Sequence, residues 1–475
     1  MILRNIVLSL LFSVLVVGCS TVFTARQEQQ ALVAKGSGCE DRSAEGKVNL
    51  RGTSLQGLVE FALTNRPSVV AARLAVDDAR LAVKALAADA PLISATPWTA
   101  PRLALNGGYS AASKSYTTRI GWDTEGQAAA SLSLDLLIWD FGRHSAEMNA
   151  AIENVLSAEM HLVQEGYTVF EEVSKAYFAV LEADALLTVA RTNEFEYAEH
   201  LRQAQDRLAA GEAQRLDVTR AKLDFSQACE KTVAASNTVV TSGAELMRAL
   251  GIDADRGTRE DVMPPLPDAL SAVMRGFSST DYPVDVAFDL AQTNAPAMAI
   301  ARARLRAASA RVDAAIADLL PSISASASLN WTDPLWMWRW GANATQSLFQ
   351  GFRKTTAVDR AVVAMKSAAV TVDETSQELS LSLELAIANR DNAREARRSA
   401  MSSYRAAREN YETVKAQYHE GDASRIDFTD AIGDYATAIG RCISAFYKGQ
   451  VAEARLFALV GRLPEYREEK ITEAR

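Results

Sequence analysis

Ser322-Ile323-Ser324-Ala325-Ser326-Ala327-Ser328-Leu329-Asn330-Trp331-Thr332-Asp333-Pro334-Leu335-Trp336-Met337-Trp338-Arg339-Trp340-Gly341-Ala342-Asn343-Ala344-Thr345 is the stretch on which the fold turns. Ile323, Ala325, Ala327, Leu329 and Trp331 alternate with Ser324, Ser326, Ser328 and Asn330. Beyond Asp333-Pro334, Trp336, Trp338, Trp340, Ala342 and Ala344 alternate with Met337, Arg339, Gly341, Asn343 and Thr345. Period two over about ten residues on each side of a tight polar turn predicts a β-hairpin with one apolar face. Upstream, Leu132, Leu134, Leu136 and Ile138 alternate with Ser131, Ser133, Asp135 and Leu137. That is a further strand, and its partner falls around Leu103 to Tyr109.

The flanking segments keep a different rhythm. Leu58, Ala62, Val69, Leu74, Leu81 and Leu86 fall at helical spacing, interrupted near Pro67. Arg143–Leu208 contains no proline, and Val163, Tyr167, Phe170, Val173, Tyr177 and Val180 step by threes and fours as one packing stripe. At about 1.5 Å per residue this segment is roughly 100 Å long. A rod of that length belongs to a coiled coil or a tube rather than a compact domain.

The pattern occurs twice. Asn65-Arg66-Pro67 returns as Asn294-Ala295-Pro296 and Pro91 as Pro321, at offsets of 229 and 230. Arg143, Gly211, Asp217 and Gly251 return as Arg353, Gly421, Asp427 and Gly461, each at 210. The first copy carries about 20 extra residues between its proline and its rod, placed between Ser110 and Gln127 or near Pro97-Trp98. The predicted fold is mainly α, with two tandem repeats of helix, β-hairpin, long helix and helix. The repeats run over 53–251 (strands about 103–138, long helix about 143–210) and 283–461 (strands about 322–348, long helix about 353–420). Residues 252–282, with Pro264-Pro265-Leu266-Pro267, form a connector, and 462–475 a tail.

Ten-residue strands with an apolar face, a small polar face and terminal tryptophans resemble those of outer-membrane barrels. The alternative is a pair of hairpins packed on helices. Four strands cannot close a barrel, and an open edge cannot sit in lipid. Strands that enter a membrane must therefore share a barrel between copies. Three copies give twelve strands around a lumen of Ser, Asn and Thr.

Met1–Gly18 has a basic start at Arg4 and an apolar run from Ile6 to Val17, ending Leu15-Val16-Val17-Gly18-Cys19. It reads as a secretory signal, too short for a spanning helix. The small residue before Cys19 resembles a bacterial lipobox, which implies acylation at Cys19 and an extended acylated segment over 19–52. Ser20, where an inner-membrane protein of this type has Asp, favours the outer membrane. The alternative is a signal peptide that happens to contain a cysteine.

The 475 residues carry a net charge of −9, which argues against nucleic-acid binding. Beyond the amino terminus no apolar run is long enough for a multi-helix transporter. His144, His161, His200 and His419 show no metal-ligand spacing, and no cofactor, nucleotide or nucleophile motif is present, so an enzyme is not expected. Cys39, Cys229 and Cys442 are scattered; Cys229 and Cys442 read as small core residues, Cys39 as a free thiol.

From Leu55 to Gly461 the chain resembles the TolC family of outer-membrane efflux and secretion channels, in its acylated branch. The resemblance lies in the two Asn-x-Pro motifs, the proline before each hairpin, Trp139-Asp140-Phe141-Gly142-Arg143, Phe349-Gln350-Gly351-Phe352-Arg353, and the two Gly-x5-Asp turns. The Asp140-Phe141-Gly142 and Gln350-Gly351-Phe352 orders differ, leaving the helix entry open by one residue. The resemblance implies a homotrimer with a twelve-stranded barrel in the outer membrane above a periplasmic α-helical barrel. It also implies a periplasmic adaptor protein and an inner-membrane pump or ABC transporter as partners.

At the first turn the resemblance implies adaptor contact through Arg207, Leu208, Gly211, Leu216 and Asp217, and at the second through Gly421 and Ile426. It implies a periplasmic gate at Tyr418, Asp427, Asp430 and Arg425. Asp427 and Asp430 are three apart and share a helical face; three copies would crowd six carboxylates into one constriction, favouring cations and raising some pKa values. The family's arginine two residues after the glycine is Ala423 here, and Arg425 stands two further on. The alternative for both turns is an ordinary solvated helical hairpin. The function so implied is a passive, tip-gated exit duct for efflux or type I secretion. The competing class is a non-conducting structural lipoprotein whose rods bridge the periplasm.

Overall fold

The computed structural model describes residues 25–27, 29, 53–88, 102–114, 123–211, 214–252, 284–332, 335–420 and 422–461. In chain order they form α1 Leu55–Asn65, α2 Pro67–Ala88, β1 Arg102–Lys114, β2 Asp123–Trp139, α3 Arg143–Ala209 and α4 Arg215–Leu250. The series then repeats as α5 Val284–Asn294, α6 Pro296–Ala317, β3 Ser322–Thr332, β4 Leu335–Thr345, α7 Arg353–Glu420 and α8 Arg425–Val460. Corresponding helices match in length: 11 and 11, 22 and 22, 67 and 68, 36 and 36 residues. Each rod is therefore about 100 Å long. Cys19, Cys39, Pro91, Gly421, and nearly all of the connector and tail lie outside the described residues.

The repeated motifs are explained by how the helices start and stop. Ser54 caps α1 by accepting from the Gly57 N–H, and the chain turns extended at Arg66, ahead of Pro67. Proline then opens α2, and Pro296 opens α6 in the same way. Helices α4 and α8 end on left-handed glycines, Gly251 (φ 74°) and Gly461 (φ 72°). Each glycine rests on the Asn-x-Pro break of its own repeat. A methyl on Gly251 would stand 3.3 Å from the Arg66 Cα, and one on Gly461 3.0 Å from the Asn294 carbonyl oxygen. Glycine and proline recur together because they touch.

Helix α3 packs on α2, α4, α6 and α8, while α7 packs on α6 and α8. The main core gathers Leu58, Val69, Val169, Val173, Val180, Leu246, Leu250 and Ile443. A second cluster joins Ala291 and Met298 to Leu379, Leu383, Leu456 and Val460. The expected α3 stripe is buried at Phe170, Val173 and Val180, but Val163 is exposed. At this end of the stripe the half-buried Leu162 packs against the core instead. Cys442 is buried as expected. Cys229 is only half-buried, because its sulfur faces Glu194 Oε1 at 3.4 Å rather than the core.

All four strands form one antiparallel sheet in the order β1-β2-β3-β4. The register pairs Leu132, Leu134 and Leu136 with Leu329, Ala327 and Ala325, and pairs Leu329 and Ala327 with Trp338 and Trp340. All of these side chains therefore share one face, with the serines on the other. Trp336, Trp338 and Trp340 are 66%, 75% and 74% exposed. The first hairpin spans Arg102–Trp139 and the second Ser322–Thr345, so most of the first copy's extra length lies in the hairpin itself. Residues 123–128 of β2 run past the end of β3, pairing only with β1. The second hairpin ends at Thr345 rather than near 348, where Gln346 Nε2 turns back to the Leu319 carbonyl at 3.4 Å.

Sheet and rods join through paired left-handed residues: Phe141 (φ 54°) with Gly142 (φ 90°), and Gly351 (φ 61°) with Phe352 (φ 63°). The swapped residue order makes no difference to the path, and the helices enter at Arg143 and Arg353. Each joint holds one phenylalanine in a conformation that costs about 1–2 kcal/mol.

Candidate functional site

The far ends of the rods bring most of the expected residues together. Gly211 reverses the chain with φ 82°. At the next helix start, the Asp217 carboxylate accepts the Gln214 N–H at 3.1 Å. In the second repeat, Asp427 accepts the Ser424 N–H at 3.3 Å and hydroxyl at 2.6 Å, while Ser424 Oγ accepts the Asp427 N–H. The aspartates that recur at an offset of 210 are thus helix caps. Asp430 lies on the next turn of α8, exposed like Asp427.

Arg425, the first residue of α8, bridges to α4. Its Nη1 is 3.4 Å from Asp224 Oδ2 and its Nε 3.9 Å from Asp217 Oδ1, with the side chain 18% exposed. Arg425 thus ties the starts of α4 and α8 together within one chain.

Tyr418 is 5% exposed. Its ring stacks on Phe428 with centroids 4.6 Å apart and planes at 7°. Its hydroxyl is 3.4 Å from His200 Nε2. Arg207 lies over the Tyr418 ring, its guanidinium carbon 4.9 Å from the centroid. Arg207 is thus engaged with Tyr418 rather than standing free at the surface. His200 is 2% exposed, and its Nδ1 has no hydrogen-bond partner among the described residues. Burial, then the nearby Arg425, hold its pKa below the usual histidine value, with Arg207 adding to the effect and Asp224 opposing it. Burial, with Asp224 and Asp430 close by, raises the neighbouring Tyr197 hydroxyl.

Leu216 and Ile426, equivalent first-turn residues, are 52% and 56% exposed. Leu208 is half-buried. The sequence marks His200 only as a histidine without metal-ligand spacing, and assigns no role to Asp224 or Phe428. Asp224 lies seven residues after Asp217 and hence on the same helical face, a signal the sequence does contain. His200 carries no comparable mark, since its partner is 218 residues away. Among the described residues no cluster of His, Cys, Asp or Glu is arranged to hold a metal.

No curated protein matches the chain in sequence. Its fold is that of several solved structures. CusC is 19% identical, with a TM-score of 0.74 over 89% of this chain and 95% of CusC. The CmeC outer membrane channel of Campylobacter jejuni is 15% identical, with a TM-score of 0.73 over 86% of this chain and 85% of that one. VceC, an outer membrane protein of Vibrio cholerae, is 16% identical, with a TM-score of 0.71 over 86% and 96%. The profile of the outer membrane efflux protein family matches residues 58–252 and 287–462, the two repeats seen in the fold. The chain belongs to the outer membrane efflux protein family.

Proposed function

We propose that the chain is the outer-membrane exit duct of a tripartite efflux or type I secretion system, passive and gated at its periplasmic tip. The observation that carries this is the sheet: an exposed tryptophan face on four strands whose outer edges, β1 and β4, have no partner strand within the described residues. Such a face has no use in water, and such edges are costly in lipid. Three copies closing one twelve-stranded barrel would satisfy both, and the rods would continue below it as an α-helical barrel. Cys19 is the proposed lipid anchor, with 1–18 removed, 19–52 leading to the first repeat, 252–282 joining the repeats and 462–475 trailing the second. A bridging rod without a pore leaves the tryptophan face unexplained.

Leu216 and Ile426, presented symmetrically on the two turns, are proposed with Arg207, Leu208, Gly211, Asp217 and Gly421 as the surface for a periplasmic adaptor. The adaptor would link the duct to an inner-membrane pump or ABC transporter that supplies the energy. Asp427 and Asp430 are proposed as carboxylate rings of the gate, with Tyr418 and Arg425 holding the turns that carry them.

The test is the mass and conductance of the full chain purified from outer membranes in mild detergent. The reading expects about three chain masses and cation-selective steps in planar bilayers. A monomer that forms no conducting species would refute it. Asp430→Ala is the clean gate variant, because Asp427→Ala also removes a cap and costs about 1 kcal/mol. Higher conductance with weaker divalent-cation block supports the gate; unchanged values remove it.

A further inference from the structure

Where the sheet meets the rods, a cavity of about 420 Å³ opens between the end of α6, the near ends of β3 and β4, and the first turns of α3 and α7. Three cations line it, Arg143, Arg353 and Lys354, with two carboxylates, Asp140 and Asp318. The carboxylates are committed. Asp140, 6% exposed, accepts the Gly142 N–H at 3.2 Å and the His144 N–H at 2.8 Å. Asp318 takes Arg143 Nη1 at 3.4 Å and Lys354 Nζ at 3.3 Å, and Arg143 also lies 3.9 Å from Glu147. Arg353 differs: its hydrogen-bond partner among the described residues is the neutral Gln350 Oε1, at 3.0 Å. Arg353 is therefore the lining cation without a carboxylate partner among the described residues.

Beside this charge lies a large apolar surface. Leu348, Phe349 and Phe352 are 90%, 75% and 72% exposed, and the two phenylalanine rings meet edge to face at 5.6 Å. The position fits a membrane boundary. Eleven-residue strands tilted by about 45° rise roughly 26 Å, close to the height of a hydrocarbon band, so the strand ends fall at headgroup level. A cationic cavity flanked by exposed apolar side chains at that level matches a phosphodiester with acyl chains attached.

We propose that this cavity binds the phosphodiester of a membrane phospholipid, with Arg353 as its principal cation and the acyl chains lying along Leu348, Phe349 and Phe352. The site rests on the outer-membrane reading above, and it would seat the joint between barrel and rods against the membrane surface. The shared chemistry with free phosphate is the anionic oxygen pair; the apolar flank assigns the ligand to lipid.

The experiment is native mass spectrometry of the detergent-solubilised full chain, titrated with palmitoyl-oleoyl phosphatidylglycerol or phosphatidylethanolamine, with inorganic phosphate as competitor. The expected result is about one retained phospholipid per chain. Arg353→Gln should lower occupancy about tenfold, near what one charge-assisted hydrogen bond is worth, and Arg353→Lys should restore part of it. Arg339→Gln, an arginine elsewhere on the sheet, should change nothing. Equal occupancy in Arg353→Gln, an equal loss in Arg339→Gln, or full displacement by millimolar inorganic phosphate would overturn the assignment. Oligomeric mass and conductance are read on the same samples. If they are intact while lipid binding is unchanged in Arg353→Gln, only this proposal falls; if wild type neither assembles nor conducts, the duct reading falls and the site with it.

Discussion

His200 is placed to make the tip sensitive to pH. It is buried between α3, α4, α7 and α8, and the groups facing it are Arg207, Asp224, Tyr418 and Arg425. Two of these are cations, so a second proton on the imidazole is opposed by charge as well as by burial. Its pKa is lower when folded than when unfolded, so the folded form binds fewer protons. Its contribution to stability is therefore present above the ordinary histidine value of about 6.5 and is lost as pH falls through the folded one. The melting temperature of the tip should drop between pH 7 and pH 5, and His200→Gln should flatten that drop. Equal pH dependence in the variant would show that other groups dominate. Arg425→Gln should cost about 1–2 kcal/mol, since two partly buried carboxylates lose a shared cation. Hydrogen exchange at amides near 215–224 and 425–432 would report it as faster local opening.

At the scale of elements, the joints between helices carry the strictest requirements. Gly461→Ala must place a methyl 3.0 Å from a backbone oxygen at a left-handed φ. It should destabilise by about 2 kcal/mol or more, measured as a lower thermal midpoint; Gly449→Ala, which meets no neighbour within 4 Å, should not. These joints also show what the sequence made legible. Asn-x-Pro and the trailing glycines appear there as recurring signs, and the rods and the second hairpin follow from periodicity alone. The contact between Gly461 and Asn294 does not, because it joins residues 167 positions apart. The tip was legible as a position along the chain but not as a set of partners. Asp217 and Asp427 read as docking and gate residues, and their carboxylates turn out to cap the helices that carry them. Tyr418 reads as a gate side chain, and it sits inside a ring cluster whose other members carried no local signal.

For the whole molecule, the proposed duct requires that the sheet be completed by other copies. The single chain holds two rods of about 100 Å, one four-stranded sheet and an exposed row of tryptophans, and no described helix is long and apolar enough to cross a membrane. The edges β1 and β4 are separated within the chain by two intervening strands, about 14 Å across the sheet. A disulfide needs Cα atoms within about 7 Å, so a cysteine on each edge cannot close inside one flat chain. The most direct measurement places one cysteine at Asn106 on β1 and scans a second along Met337 to Asn343 on β4, in otherwise unaltered protein oxidised in intact outer membranes. Covalent dimers and trimers at alternate positions of the scan are the predicted result; only monomer at every position would contradict the account.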